Sequence, residues 1–162
     1  IFIIDDRADF SNPTRFPEAE QTVVSDYGSA FNKLPIGTNS FIVIATRGHR
    51  YDASATAAAM KTPASYVGLL GSKRKTILIF EELFSEGFTM EEVQSVRSPI
   101  GLNISARTPE EIGLSIMAEI VGFRLGGDGG TLKLDQRLID KAAEKADLRP
   151  ENASTAEAIG AD

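Results

Sequence analysis

The sequence predicts an α/β domain, doubly wound around a mainly parallel sheet. Short runs that are apolar on both faces, Ile1–Ile4, Phe41–Ala45 and Tyr66–Leu70, read as buried parallel strands. Helical or loop segments separate them, giving the order β-loop-β-β-α-β-α-α-β-α, the alternation from which parallel sheets are built. A chain of 162 residues, 42% apolar and 25% charged, holds one ordinary domain with enough interior to fold unaided.

Strands are expected near 1–5, 22–25, 41–46, 65–70 and 100–104, all in one orientation, with a groove between the first and the third. The first ends in Asp5-Asp6-Arg7. An acidic residue at that point is where doubly wound dinucleotide folds hold a ribose hydroxyl; it is equally a turn-former paired with Arg7. Residues 8 to 21, with Pro13 and Pro17, read as a loop, and Ser29–Lys33 as a single helical turn. The third strand runs into Thr46-Arg47-Gly48-His49-Arg50-Tyr51-Asp52, and Asp52 is expected to cap a helix over Ala53–Lys61 that Pro63 terminates. His49 is the single histidine, so no metal site forms without carboxylate help. It is either a plain loop residue or, at the end of a central strand, a ligand contact.

The fourth strand breaks at Gly71. Ser72 then caps a helix to about Ser85, with Ile77, Leu78, Phe80, Leu83 and Phe84 expected to face the core. Lys73, Arg74 and Lys75 stand in its first turn, where cations oppose the helix dipole. They are either solvated surface or the seat of an anion, which the free N–H groups and the dipole would also attract. Thr89–Glu92 is a capping-box start for a short helix, and Ser98–Ile104 a turn and last strand. Thr108-Pro109-Glu110-Glu111 opens a helix to about Leu125, with Ile112, Ile116, Ala118, Ile120 and Val121 as its apolar side and Glu119 as a helix-edge carboxylate. Gly126–Gly130 reads as a linker, Leu134–Ala146 as an amphipathic helix, and the remainder as a disordered tail. The expected organisation is a domain over 1–126 and a linker, helix and tail over 127–162.

A net charge of −6 repels nucleic acid and anionic membrane, so an anion site must be a local basic pocket. No window approaches the ~20 apolar residues of a membrane span. Without cysteine there is no disulfide, thiolate zinc site or cysteine nucleophile, and a cytoplasmic protein fits. The chain opens at Ile1 inside a strand and has no G-x-G-x-x-G turn. It is therefore expected to be N-terminally truncated and to lack its first βα unit, whose strand would lie between those at 1–5 and 41–46.

Three motifs carry a family resemblance: Thr46-Arg47-Gly48-His49 with Asp52; Tyr66-Val67-Gly68-Leu69-Leu70-Gly71-Ser72-Lys73-Arg74-Lys75; and Pro99-Ile100-Gly101-Leu102 followed by Thr108-Pro109-Glu110-Glu111-Ile112. In this order they resemble the C-terminal Rossmann domain of the XdhC/CoxI family, the xanthine dehydrogenase accessory proteins, over roughly residues 1 to 125. Ser105 stands where that family usually has glycine, and Asn103 where aspartate is common. The resemblance implies a Rossmann-like domain of a protein that binds molybdenum cofactor, aids its sulfuration and inserts it into a xanthine dehydrogenase-type hydroxylase. It implies the hydroxylase and a cysteine desulfurase as partners, with a homodimer as candidate assembly, and neither nucleic acid nor membrane. The expected cofactor-binding residues are Asp5, Arg7, Thr46, Arg47, Gly48, His49, Gly71, Ser72, Lys73, Arg74, Pro99 and Gly101, with no catalytic residue. The rival is an NAD(P)-dependent oxidoreductase using His49 as acid–base residue; a third reading is an interaction domain that binds no small molecule.

Overall fold

The computed structural model describes residues 1–146, and the tail expected beyond Ala146 lies outside the described residues. The chain divides into two compact units, Ile1–Gly129 and Gly130–Asp162, just past the expected boundary after residue 126.

In the first unit β1 (Phe2–Asp5) pairs in parallel with β2 (Gln21–Val24), and β3 (Phe41–Ile44) pairs in parallel with β4 (Tyr66–Leu69). No ladder joins β1 to β3 among the described residues, so the two pairs stand as separate sheets. The crossover from β1 to β2 is a turn-rich loop rather than a helix. Buried Ser11 holds it, its Oγ lying 3.1 Å from the carbonyls of both Ile3 and Val23. Then come α1 (Tyr27–Ala30) with a 3-10 turn (Phe31–Lys33), α2 (His49–Met60), α3 (Lys73–Ser85), α4 (Met90–Ser95) and α5 (Pro109–Leu125). The second unit contains α6 (Gln136–Lys145), capped by Asp135.

Where a helix start is written in short-range capping chemistry, it forms where expected. Ser72 Oγ accepts the Lys75 amide, and Thr89 and Thr108 both complete capping boxes, the latter with Pro109 in the first turn. Gly126 closes α5 in the left-handed conformation at φ +75.

Four expectations are corrected. The strand at 100–104 does not form. The chain meets β4 earlier, through a parallel bridge between Gly68 and Arg97, with Arg97 N donating to Val67 O (2.9 Å) and Leu69 N to Arg97 O (2.8 Å). Gly101, at φ +102, then turns the chain under α5 and ends the ladder. Next, α2 begins at His49 rather than Ala53, because the Asp52 carboxylate is drawn inward to Thr46 instead of capping. In α3 the buried residues are Thr76, Ile79 and Leu83, with Phe80 packed beside them, while Ile77, Leu78 and Phe84 are exposed. The apolar residues of α3 outnumber what one face accommodates, and the face against α2 fixes the phase. Finally, Glu119 is not a helix-edge group: only 12% of its side chain is exposed, and it accepts from Tyr66 Oη (3.1 Å) and the Gly101 amide.

The core lies between β3–β4 and α2–α3. Ile42, Ile44, Val67 and Leu69 pack with the alanine face of α2 (Ala53, Ala57) and with Ile79, Leu83, Val93 and Val96. Each fully buried aliphatic side chain contributes about 1.5–3 kcal/mol. This core fixes the loops that leave β3 and β4 beside one another.

Candidate functional site

Strands that run parallel deliver their following loops to one end of the sheet, where open α/β folds place ligands. Asp5 accordingly ends β1, and Thr46–His49 and Gly71–Arg74 follow the carboxyl ends of β3 and β4.

Arg7 folds back onto Asp5 as a fork, with Nε 2.9 Å from Oδ1 and Nη2 3.1 Å from Oδ2, and its guanidinium lies 3.6 Å from the Phe10 ring centroid. That hydrogen bonding holds the Asp5 carboxyl below the usual carboxylate range. In the free chain, therefore, Asp5 is already engaged by Arg7, the alternative its sequence context left open. The neighbouring Asp6 does the longer-range work. Its Oδ2 lies 2.6 Å from Arg47 Nη2, joining the end of β1 to the loop after β3. Tyr27 Oη reaches Asp6 Oδ1 at 3.4 Å, and Tyr27 packs edge-on against Tyr51, over which Arg47 also lies.

On the inner side of that loop, Asp52 is fully buried. Its Oδ1 accepts Thr46 N (3.1 Å) and Thr46 Oγ1 (2.7 Å). Its Oδ2 takes no hydrogen bond of good geometry but meets Lys75 Nζ in an ion pair that offsets the burial of the charge. The basic triplet thus splits. Lys75 turns inward, whereas Lys73 and Arg74 are exposed and make no ion pair among the described residues. The start of α3 is further braced by Thr76 Oγ1, 2.8 Å from Ser98 Oγ, which itself reaches Leu69 O at 3.3 Å.

Gly48 is the extended N-cap of α2 with His49 exposed beside it, and Pro99 is exposed next to Ser98. Gly101 is placed otherwise: its amide is taken by Glu119, and a Cβ there would overlap Ser115 Oγ beneath α5. The structure brings Thr46, Arg47, Gly48, His49, Gly71, Ser72, Lys73 and Arg74 to the carboxyl end of the β3–β4 pair, with Asp5 and Arg7, at the end of β1, tied to it through the Asp6–Arg47 ion pair and Pro99 through Ser98. Sequence reasoning passed over Asp6 and Tyr27, and it missed the inward roles of Asp52 and of Lys75, which it had grouped with Lys73 and Arg74 as solvated surface or anion seat. The available signal was the separation of Asp52 from Lys73–Lys75 by one strand, which puts both on adjacent loops. No cluster of three metal-ligating side chains occurs among the described residues, and no helix there is long and apolar enough to cross a membrane.

Parallel strands with polar loops gathered at their carboxyl ends define the chain as a Rossmann-type α/β domain. Residues 1–120 match the family described as XdhC Rossmann domain, and the chain belongs to that family. It is 33% identical over 122 residues to the Escherichia coli K12 protein described as "Uncharacterized protein YqeB", covering 75% of this chain and 22% of that protein. It is 27% identical over 124 residues to a probable xanthine dehydrogenase subunit of Bacillus subtilis 168, covering 76% and 36%. It is 29% identical over 102 residues to the molybdenum cofactor insertion chaperone PaoD of Escherichia coli K12, covering 63% and 32%. The chain thus spans between about a fifth and about a third of these relatives. A crystal structure described as a xanthine dehydrogenase from Bacillus halodurans shares the fold with a TM-score of 0.64 at 23% identity, over 90% of this chain and 38% of that one.

Proposed function

We propose that this domain serves a cytoplasmic accessory protein that binds molybdenum cofactor, assists its sulfuration with a cysteine desulfurase, and hands it to a xanthine dehydrogenase-type hydroxylase without turnover of its own. The observation that carries the reading is the pair of uncompensated cations, Lys73 and Arg74, at a capped helix start beside Thr46–His49. Molybdopterin carries a phosphate and its dinucleotide forms a pyrophosphate, and this donor set fits such a group: two cations, first-turn amides and the positive dipole end. The names of PaoD and of the Bacillus subtilis relative support the accessory role. Arg47 would complete the seat by leaving Asp6. We further propose that a strand upstream of Ile1 lies between β1 and β3, a reading supported by the absence of any ladder between them among the described residues.

In the complete protein, Lys73→Glu with Arg74→Glu is expected to weaken cofactor binding tenfold or more, since hydrogen bonds to charged groups are worth roughly 1.5–3 kcal/mol each. Thermal stability should hold or rise slightly, because acidic residues suit a helix N-terminus. Calorimetry in moderate salt reads the affinity; an unchanged value returns both residues to solvated surface.

A further inference from the structure

A cleft of about 400 Å³ lies beside the C-terminal half of α5, a volume in the range of small-molecule sites. It is not the candidate site. Its Phe123 packs edge-on against Phe41 and Tyr66, which open β3 and β4, whereas Thr46–His49 and Gly71–Arg74 follow the other ends of those strands. The glycine-rich turn after α5 forms one wall. Gly127 N donates to Gly122 O (2.9 Å), and Gly129, at φ +74, lies so close to Leu102 that a Cβ would stand 3.2 Å from its Cδ2. The turn is thus folded back on α5 and Leu102, and its lack of side chains opens the backbone to a flat ligand.

Arg97, Glu119 and Phe123 supply the chemistry of the cleft. Arg97 Nη1 lies 4.0 Å from Glu119 Oε1, beyond hydrogen-bond reach, so a donor and an acceptor stand side by side unjoined. Among the described residues Glu119 accepts only from Tyr66 Oη and the Gly101 amide, although a carboxylate takes about four hydrogen bonds. With 12% of that side chain exposed, little water reaches the remaining lone pairs. Phe123 keeps 39% of its surface exposed, with the Arg97 guanidinium 5.1 Å from the ring centroid. A charged ligand suits the cleft poorly: Arg97 repels a cation, and Glu119 with Asp128, which also lines it, repels an anion. We propose that the cleft binds a neutral, planar nitrogen heterocycle with a carbonyl and an N–H side by side, as on the lactam edge of an oxopurine. The carbonyl accepts from Arg97, the N–H donates to Glu119, and the ring lies against Phe123, since such rings stack on aromatic and guanidinium planes alike. This assignment does not rest on cofactor binding at the other end of the strands.

Inosine, which carries that edge, is the probe, titrated into the 162-residue chain and followed by amide NMR shifts. Saturable shifts are expected at Arg97, Gly101, Leu102 and Glu119–Gly129, with a Kd of about 0.1–1 mM, within the affinity per atom open to so small a ligand. In 1-methylinosine a methyl group replaces the N–H, and binding should weaken about tenfold or more through the lost bond to a charged acceptor. Arg97→Ala should weaken inosine by a similar factor while keeping the fold, because the ladder to β4 is made by the Arg97 backbone. Four results would each overturn the proposal: no saturable shift, equal binding of the methylated probe, unchanged affinity in Arg97→Ala, or shifts confined to Thr46–His49 and Gly71–Arg74.

Discussion

Asp52 and Asp6 grip the loop after β3 from opposite sides, and their surroundings give the two grips different strengths. Asp52 is fully buried, holds two donors of Thr46 and meets Lys75 from the start of α3. Asp6 is 23% exposed, and its partner Arg47 is 43% exposed. Water screens the second pair and competes for both ends, whereas the first has no solvent to fall back on. The loop is therefore fixed from the β4 side and only latched from the β1 side. A binding edge needs that asymmetry: a rigid frame with one partner that a ligand displaces at little cost.

The largest effect is expected where the frame is broken. Asp52→Ala leaves Lys75 without its counter-ion and the Thr46 amide without its acceptor, and removing one member of a buried pair costs about 3–5 kcal/mol. Lys75 is 29% exposed, which places the expected loss at the lower end. Urea unfolding followed by circular dichroism measures it. A loss below about 1 kcal/mol would put Asp52 in the same class as Asp6 and dissolve the contrast.

A third carboxylate sharpens the scale. Glu119 sits under α5 with Tyr66 and the Gly101 amide, so Tyr66→Phe should cost about 1–2 kcal/mol through an acceptor left short of a donor. Burial first, and then the Glu119 charge, push the Tyr66 hydroxyl well above its ordinary 10. An acid whose pKa is raised on folding contributes stability that is fully present below about pH 10 and is lost as pH climbs toward the folded value. The melting temperature should thus fall above about pH 10, and fall less steeply in Tyr66→Phe.

The smallest effect belongs to the latch. Asp6→Ala should cost less than about 1 kcal/mol, yet raise amide exchange across Thr46–His49. Beside it, Asp5 supplies an acid counterpart. Arg7 depresses its pKa, so its contribution is present above the unfolded value of about 4 and is lost as pH falls through the folded one. Thermal melts from pH 6 downward should show a shallower acid slope in Arg7→Ala.

The sequence announced what local chemistry decides. The starts of α3, α4 and α5 were legible because Ser72, Thr89 and Thr108 act within three residues of themselves. The strands at 1–5, 22–25, 41–46 and 65–70 were legible as apolar runs. What failed depended on distant partners. Asp52 reads as a cap until Thr46 and Lys75 claim it, and Glu119 reads as surface until Tyr66, 53 residues away, reaches it. The last strand was misplaced because its ladder lies at Arg97, outside the apolar run, while the run itself turns at Gly101. The site was legible as a set of loops; the sharing of partners among Asp6, Arg47 and Lys75 was not. Ser105 shows the reverse case. Its backbone stands at φ +59, a left-handed geometry that glycine adopts more readily than serine.

Gly68 has a historical consequence. The Ile100 and Tyr66 side chains cover it so closely that a Cβ would stand 2.8 Å from Ile100 Cγ1 and 2.9 Å from Tyr66 Cε1. Interiors at crystal density do not absorb such an overlap without movement. Enlarging position 68 is thus open to a lineage only once both the Ile100 side chain and the Tyr66 ring have given way. A smaller residue at 100 removes one of the two obstacles, so the identity of position 68 is contingent on the past of two others.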